Sequence, residues 1–386
     1  MDPELFHAEQ RDQLVNLGNT GWAFVPAPLP PKLKPAELII PLTRASAAIG
    51  ELNGAARRLQ NPYMLIRPLL RREALTSSAM EGTITTLGDM ILEEAGNETH
   101  STDNAREVTN YVRAIETCVR QLAEIPISHR LIKQAHKILL SGLSRERGAN
   151  KRPGEYKINQ NAVGQQGDTI LTARYVPPPP AETQSCMDDL EKYINHADDE
   201  PAYRLIRLAL VHYQFEAIHP FDDGNGRIGR MLITLMAQQS GLLDLPLLHM
   251  SPYLEKWKDD YIENLFQVSA QGAWTNWIGF FLDAVYSCAM DAISVVDNII
   301  ELQTYLRKKV QRMGKSPRLL MIVDSMFNQW WTTVPQTQKN CSVSFPTAKS
   351  DLQALCEAGI LQEISDAHPQ IYYSPQILAL SDRPRH

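Results

Sequence analysis

A short glycine-containing turn between two apolar helical segments dominates this sequence. One segment ends near Ile218, and the next opens at about Gly226 with apolar residues at helical spacing. Gly224 and Gly226 let successive backbone N–H groups point into one concavity, and the start of the second helix adds about half a positive charge. The pattern limits this stretch to a helix–loop–helix whose loop holds an anion such as phosphate.

The polar residues of this turn suit a nucleotide bound with Mg2+. Arg227 and Arg230 are three residues apart, so they project from one face of the first helical turn and can grip a di- or triphosphate. Asp223 offers a hard oxygen ligand for Mg2+, and Asn225 can donate to a phosphate oxygen. His219 can take a proton from a hydroxyl near neutral pH. Together they predict group transfer from a nucleotide to a hydroxyl.

The same stretch resembles the signature of the Fic family, HxFx(D/E)GNGRxxR, at every fixed position. The matching residues are His219, Phe221, Asp223, Gly224, Asn225, Gly226, Arg227 and Arg230. A signature of this density is highly specific. The resemblance implies a protein adenylyltransferase, which moves AMP from ATP onto a Ser, Thr or Tyr hydroxyl of a target protein. It gives His219 the role of base and Asp223 that of Mg2+ ligand. The ATP-binding residues of the loop are then Gly224, Asn225, Gly226, Arg227 and Arg230.

A second stretch, Arg71 to Leu87, resembles the inhibitory segment of Fic proteins, (S/T)xxxE(G/N), with Ser77 first and Glu81 as the glutamate. The resemblance places Glu81 against Arg230. A carboxylate there would occupy the partner of the γ-phosphate and repel it, so ATP would bind in a pose unfit for in-line attack. Because this segment precedes the Fic core, the chain resembles the subgroup that carries its inhibitory helix N-terminally.

A region rich in Gly, Asn and Gln, from Gly148 to Pro180, predicts a surface flap with a short β-hairpin. It resembles the family's flap, which registers the modifiable side chain of the target by backbone pairing. Thr172 and Tyr175 would then line ATP and the target. Where many Fic proteins carry two tyrosines near the adenine, this chain has Tyr261 followed by Ile262. The resemblance therefore implies that both residues line the ATP site, with Ile262 packed against the base.

The predicted fold is mainly α: the helical pattern, read with the resemblance, indicates a Fic-type helical core with the β-hairpin flap, plus a C-terminal winged-helix domain. Between Leu65 and Glu94, two helices are expected on either side of a polar joint at Ser77, Ser78 and Gly82. The predicted domains are an N-terminal arm and helical region with the inhibitory segment (1–104), the catalytic core (105–300) and the winged helix (301–386).

The sequence of the winged-helix domain does not identify what this domain binds. Its expected recognition helix, Thr347 to Ala358, carries one basic and two acidic side chains, a poor face for phosphates. We therefore keep both a DNA reader and a protein-docking wing, which includes a homo-oligomer contact, as interpretations of this domain.

The amino-acid composition indicates an ordinary globular protein and limits the cellular compartments and partners expected for it. The 386 residues are 44% hydrophobic and 21% charged, as in ordinary globular proteins. The net charge of −6 gives no field that would draw the whole chain onto DNA or an anionic membrane. Five widely spaced cysteines without CxxC favour neither disulfides nor zinc, and neither a signal peptide nor a long apolar run is expected. We expect a cytoplasmic protein without a membrane partner and with no metal other than Mg2+.

Other functions fit the same residues. One is a different phosphate-linked transfer on this scaffold, or the removal of AMP by a water that Glu81 positions. Another is a DNA-binding regulator whose Fic core only senses nucleotide. In the helix before the loop, His212 is expected to be a structural histidine, whereas Gln214 and Glu216 fit either core hydrogen bonding or a nucleotide contact.

Overall fold

The computed structural model describes residues 1–59, 61, 63–96, 102–164, 167–196, 201–364 and 369–380, and most of them are helical. The elements are, in chain order, α1 (Ala8–Arg11), β1 (Leu14–Asn16), β2 (Trp22–Phe24), α2 (Ile39–Ala56), α3 (Tyr63–Met80), α4 (Leu87–Glu94), α5 (Asp103–Gln121), α6 (His129–Leu139), α7 (Pro180–Ile194), α8 (Pro201–Ile218), α9 (Asn225–Gln239), α10 (Ser251–Lys256), α11 (Lys258–Gln271), α12 (Trp274–Arg312), α13 (Arg318–Met326), β3 (Trp331–Thr333), α14 (Val334–Cys341), α15 (Phe345–Glu357), β4 (Gln362–Ile364), β5 (Ile371–Tyr373) and α16 (Pro375–Leu378). The prediction of a mainly α fold is confirmed.

Helix α12 organises the core, where it packs along α2 and α8. Its Trp277 is fully buried and donates its indole N–H to the Ala209 carbonyl of α8 at 2.9 Å. The helix continues without a break through the predicted domain boundary at residue 300, so the division into domains stays a prediction.

An apolar window of α12, with a mean hydropathy of 1.5, is long enough to cross a membrane, which differs from the expectation that no such run exists. Half of this window is buried inside the protein, and a core helix has the same composition.

Helix α3 extends further than the sequence predicts. Ser77 and Ser78, expected to break it, lie inside the helix and are fully buried. The polar joint is instead the short stretch after Met80, in which Gly82 has a φ of 85°. Buried serines are tolerated in a helix when tertiary partners accept or donate their hydrogen bonds, and Ser77 has such a partner in α9.

The N-terminal arm (residues 1–27) packs on the region that the sequence predicts to be a flap. Its strands β1 and β2 pair in antiparallel register, with Leu14 opposite Phe24. The Phe24 N–H donates to the Val176 carbonyl at 2.8 Å, and Phe24 is buried in a small apolar cluster separate from the main core. The predicted flap hairpin is reduced to one β-bridge between Val163 and Tyr175. The arm therefore supplies regular strands beside the described residues of the flap (158–164 and 167–176), which form none.

The C-terminal part forms a three-stranded antiparallel sheet, in the order β3–β5–β4, beside α13, α14 and α15. The sequence pattern predicts a helix near residues 318–331, a helix over 346–358, and short strands at 360–364 and 371–373, which correspond to α13, α15, β4 and β5, whereas α14 and β3 are not predicted. This unit is docked on α3 and α4: Arg71 lies over the Trp330 ring at 4.0 Å, and Glu94 accepts both tryptophan indole N–H groups, of Trp330 and Trp331, at 3.2 Å. Its assignment as a winged-helix domain stays a prediction.

Candidate active site

The predicted turn is a loop between α8 and α9, called here the motif loop (His219–Gly224). Gly224 caps α9 with a φ of 80°, a left-handed conformation that favours glycine. A Cβ on Gly226 would collide with Oε1 of Glu81 and lie 2.8 Å from Nη1 of Arg230, so glycine alone lets both side chains approach. The loop presents backbone N–H groups at the start of a 15-residue helix, where an anion is favoured.

Two side chains brace the motif loop from inside. Asn225 accepts the Phe221 N–H and donates to the Phe221 carbonyl, both at 2.8 Å. The His136 ring stacks on Phe221 with centroids 3.9 Å apart, and its Nε2–H donates to the Asp223 carbonyl because its Nδ1 accepts the Gly154 N–H. Burial lowers the pKa of His136 to about 4, so this ring is neutral. Asn225 thus shapes the loop, and its contact with phosphate stays a prediction.

Arg227 is buried between two carboxylates. Only 3% of its side chain is exposed, and the same fraction is exposed in Glu107 of α5, its ion-pair partner. Its second partner is Oδ1 of Asp223, 3.0 Å from Nη2. Glu107 also forms an ion pair with Arg147 and accepts a hydrogen bond from Thr83 at 3.2 Å. The guanidinium group of Arg227 is therefore held in place by the protein alone.

Arg230 joins the inhibitory segment to α9. Its Nε donates to Oγ of Ser77, and its Nη2 donates to the Ser77 carbonyl and to Oε1 of Glu81, all at 2.8 Å. The Arg230 side chain is 2% exposed and that of Glu81 is 37% exposed. Burial alone would raise the pKa of Glu81, but the charge and hydrogen bond of Arg230, together with the charge of Arg227, outweigh it and lower that pKa. The expected contact between Glu81 and Arg230 is present, and Ser77 completes it.

His219 opens the motif loop in a left-handed backbone conformation, with a φ of 47°. A neutral imidazole keeps one nitrogen that can accept a proton, and the nearby backbone carbonyl of Glu216 favours the protonated ring. Burial, assisted by the charge of Lys157 and opposed by that of Glu81, lowers the pKa of His219 to about 4. The imidazole is therefore neutral near pH 7, the form that a general base requires.

Asp223 fits the role of a Mg2+ ligand. Its Oδ1 accepts the Gly224 N–H at 2.6 Å and a hydrogen bond from Arg227 at 3.0 Å. Oδ2 is left for a ligand, and 40% of the side chain is exposed. One carboxylate plus substrate phosphates is a common Mg2+ ligand set. The described part of the chain contains no cluster of three or more His, Cys, Asp or Glu side chains that could hold a metal, and the role of Asp223 as a Mg2+ ligand stays a prediction.

The two predicted residues of the flap (Ile158–Val176) differ in exposure. Thr172 is exposed, and its hydroxyl accepts the Thr169 N–H of its own turn at 2.8 Å. Tyr175 is partly buried, and its hydroxyl donates to the Ala217 carbonyl of α8 at 2.8 Å. Tyr175 therefore anchors the flap beside the motif loop. Contacts of either residue with ATP stay predictions.

Tyr261 and Ile262 are adjacent in α11, but Tyr261 is buried and Ile262 is exposed. Tyr261 is 5% exposed, and its hydroxyl donates to Nε2 of His212 at 2.8 Å, while Nδ1–H of His212 donates to the Gly229 carbonyl at 3.1 Å. Burial lowers the pKa of His212 to about 3, as expected for a structural histidine. Tyr261 thus supports α9 from the core through His212, and its predicted contact with adenine stays a prediction. Ile262 is 46% exposed, and its contact with the base stays a prediction.

The sequence does not decide whether Gln214 and Glu216 are core residues or nucleotide contacts, and the structure places them in different environments. Gln214 donates to the Ala27 carbonyl of the arm at 3.0 Å, so it is a core-edge hydrogen-bonding residue. Burial raises the pKa of Glu216 to about 7, opposed by the charge of Arg230 and reinforced by that of Glu81. Glu216 therefore lies near the Arg230–Glu81 pair.

Four residues that support the site are absent from the predictions: Glu107, His136, Lys157 and Asn161. The first two carry a recognisable signal, because each is a polar residue on the buried face of an amphipathic helix. Lys157 and Asn161 lie in an irregular polar stretch, where no periodicity indicates which side chains face inward. Spacing alone offers no signal for them.

Two family models match this chain. The model described as Fic/DOC family N-terminal matches residues 39–120, and the model described as Fic/DOC family matches residues 126–237. Together they cover half of the chain, including the inhibitory segment, the motif loop and most of α9.

Curated relatives match the same region. A protein adenylyltransferase Fic from Drosophila yakuba is 28% identical over 201 residues, which is 51% of this chain and 37% of that protein. The Drosophila melanogaster protein of the same name has the same identity and coverage. A probable protein adenylyltransferase from Aquifex aeolicus is 31% identical over 86 residues, 22% of this chain and 26% of that protein. The chain thus spans well under half the length of these relatives.

Solved structures show the same fold. A Fic family protein from Desulfovibrio desulfuricans, 18% identical, aligns with a TM-score of 0.56 over 93% of this chain and 100% of its own. A Fic domain containing signaling protein from Bacteroides thetaiotaomicron, 22% identical, aligns with a TM-score of 0.52 over 66% of this chain and 97% of its own. At these identities the likeness concerns the fold, and the family models add the sequence match. The chain therefore belongs to the Fic/DOC family.

Proposed function

We propose that this chain transfers AMP from ATP to a Ser, Thr or Tyr hydroxyl of a target protein. Relatives named as protein adenylyltransferases support this class of transfer. The observation that carries the proposal is a neutral histidine, His219, at the start of a loop whose following helix holds two buried arginines, Arg227 and Arg230.

His219 acts as the base in the proposed reaction. Its accepting nitrogen takes the proton of the target hydroxyl while that oxygen attacks the α-phosphorus of ATP. A bond forms between the hydroxyl oxygen and the α-phosphorus, the α–β phosphoanhydride bond breaks, and pyrophosphate leaves. A positioned base contributes about 10²- to 10⁴-fold to such a step.

The anion-binding groups of α9 hold the phosphates. Backbone N–H groups at the start of the helix point to them, and Arg227 and Arg230 supply fixed positive charge in a buried setting. Mg2+, when bound by Asp223, would neutralise charge on the phosphates. Because Glu107 and Asp223 already hold Arg227 in position, this arginine needs little reorganisation when ATP binds.

We propose further that Glu81 restrains the reaction. Its carboxylate pairs with Arg230, which the γ-phosphate would otherwise contact, and its charge repels that phosphate. The partial exposure of Glu81, against the burial of Arg230, supports a contact that opens from the glutamate side. Opening is then a shift between two states of one chain.

The cysteines and the docking of the C-terminal unit support two further proposals, on the compartment and on the choice of target. Five cysteines without disulfides support a reducing compartment, and we propose the cytoplasm. We assign the C-terminal unit a role in selecting the protein target, whether as a monomer or a homo-oligomer, because its docking on α3 connects it to the inhibitory segment.

The test is incubation of purified protein with Mg2+ and α-labelled ATP. Four forms are compared: wild type, Glu81→Gly, Glu81→Gly with His219→Ala, and a control with the exposed residue Glu124→Gly. We expect Glu81→Gly to place label on protein, including itself, and the added His219→Ala to abolish it. Mass spectrometry should show the mass of AMP, and Glu124→Gly should match the wild type.

Other outcomes identify the alternatives. If Glu81→Gly binds ATP but labels nothing, the AMP transfer proposal is wrong, and duplex DNA binding by the full chain at low salt would favour a nucleotide-sensing regulator. If wild type removes AMP from a modified target and Glu81→Gly does not, AMP removal by a Glu81-positioned water is the activity.

A further inference from the structure

The segment at the start of the flap, Lys157–Asn161, is hydrogen-bonded to the backbone of the motif loop. The Lys157 N–H donates to the Pro220 carbonyl at 2.8 Å. Its Nζ donates to the Ile218 carbonyl at 3.2 Å and to the His219 carbonyl at 3.1 Å. One lysine therefore contacts three consecutive carbonyl groups around the proposed base.

Asn161 adds a second set of contacts to the same backbone. Its Nδ2 donates to the His219 and Phe221 carbonyls, both at 3.1 Å, and its Oδ1 accepts from Nζ of Lys157 at 2.8 Å. The His219 carbonyl consequently has two donors from side chains far away in sequence. The two side chains also orient each other.

These hydrogen bonds surround a residue, His219, whose backbone conformation is unfavourable. His219 is not glycine, yet its φ of 47° lies in the left-handed region, which is unfavourable for most side chains. Such a conformation persists only where its surroundings hold it. The direction of the imidazole follows from this φ, because the ring is attached to the strained residue itself.

We propose that Lys157 and Asn161 are positioning residues that hold His219 in its left-handed turn and so aim its imidazole at the target hydroxyl. This inference rests on the proposed function of His219 as base. Neither residue needs to touch ATP or the target.

Electrostatics gives the lysine a second effect on the base. Lys157 is 3% exposed, and burial lowers its pKa to about 7, opposed by Cys186 and Asp222, which face it. At the acidic pH where His219 titrates, Lys157 is charged and disfavours the imidazolium, whereas Glu81, which also faces His219, favours it. Removing the lysine charge should therefore raise the pKa of His219.

Activity is measured in the Glu81→Gly background. Lys157→Met is expected to lower kcat about 100-fold, because a small misplacement of the base has that effect, while KM for ATP changes little. The acid limb of the pH–rate profile should move to higher pH. Lys157→Arg keeps a charged donor and should restore part of the rate. Lys133→Met is the control, since Lys133 is 31% exposed and pairs with Glu155 at the surface of the same region.

A second measurement does not depend on AMP transfer. NMR of labelled histidines, with His219 assigned through His219→Ala, gives the titration midpoint of His219 directly. We expect a higher midpoint in Lys157→Met and an unchanged one in Lys133→Met. If the Glu81→Gly parent transfers no AMP, the proposed function fails, but the midpoint still decides the inference about Lys157.

Thermal melts report whether the variants remain folded. Should Lys157→Met fail to fold, Asn161→Ala removes two hydrogen bonds to the motif loop, both donated by Nδ2 of a half-buried residue, and kcat should fall by at least tenfold with KM for ATP retained. The inference is overturned if the variants that fold match Lys133→Met in kcat and in the His219 midpoint.

Discussion

The motif loop and the flap lie side by side, but they are held by different kinds of contact. The loop is buried and braced by the Asn225, His136 and Lys157 side chains, each hydrogen-bonded to its backbone. Beyond Asn161 and the Tyr175 anchor at its two ends, the described part of the flap has one β-bridge, an exposed ion pair between Arg174 and Glu263, and the packing of the arm. The part proposed to do chemistry is thus rigid before substrate binds, whereas the part proposed to meet the target depends on contacts from other segments.

The largest difference should appear when one buried partner of the loop is removed. Glu107→Gln leaves Arg227 buried with Asp223 as its remaining carboxylate, and loss of a partner from a buried ion pair costs about 3 kcal/mol of the free energy of unfolding. Urea unfolding at neutral pH measures it. A loss of less than about 1 kcal/mol would show that the pair is not a main support of the loop.

The arm should matter to the flap more than to the core. Phe24 is 1% exposed and its ring lies 5.6 Å from that of Phe6, so Phe24→Ala should cost about 3 kcal/mol locally. Because this cluster is separate from the main core, we expect faster hydrogen exchange at flap residues 167–176 with little change in α8 and α9. Val15→Ala, 39% exposed on β1, is the control. Unchanged flap exchange in Phe24→Ala would refute the dependence on the arm.

The pH dependence of transfer tests the burial of the loop. The pKa of His219 is about 4, below the ordinary 6.5, so the neutral base is present above pH 5 and is lost as the pH falls through 4. Glu81 favours the charged ring, so its removal should lower the pKa of His219 further. The rate constant of Glu81→Gly should therefore be insensitive to this group above pH 5 and should fall only at lower pH. Stopped assays from pH 4 to 8, with folding checked at each pH, measure this. A midpoint near 6.5 would mean that the ring is solvated in solution.

The smallest effect should come from the ion pair of the flap. The Arg174 and Glu263 side chains are 46% and 45% exposed, and exposed pairs contribute about 0.5 kcal/mol. Glu263→Gln should therefore change urea unfolding by about that amount, and high salt should remove the difference. If Glu263→Gln lowered the free energy of unfolding as much as Glu107→Gln does, the motif loop and the flap would not differ in how strongly their ion pairs hold them.

Much of the candidate site was predictable because its parts are adjacent in sequence. The spacing of Gly224, Gly226, Arg227 and Arg230 predicts the loop, the start of α9 and the shared face of the arginines, and all of these are present. Family resemblance places Glu81 and Ser77 against Arg230, and the contact occurs. The contacts of Tyr261 and Ile262 with adenine stay predictions, because helical position alone does not tell a core-facing tyrosine from one that lines a site.

The sequence by itself determined the helices, the anion-binding turn and the chemical groups that the turn offers, since these follow from backbone preferences and spacing within a few residues. Only the tertiary structure decided which side chains hold those groups: Glu107 on Arg227, Lys157 and Asn161 on His219, and the arm on the flap. Those partners are tens to more than a hundred residues apart in sequence. Contacts of that kind leave no periodic trace, because they depend on how helices pack and on which irregular segments the packing brings together.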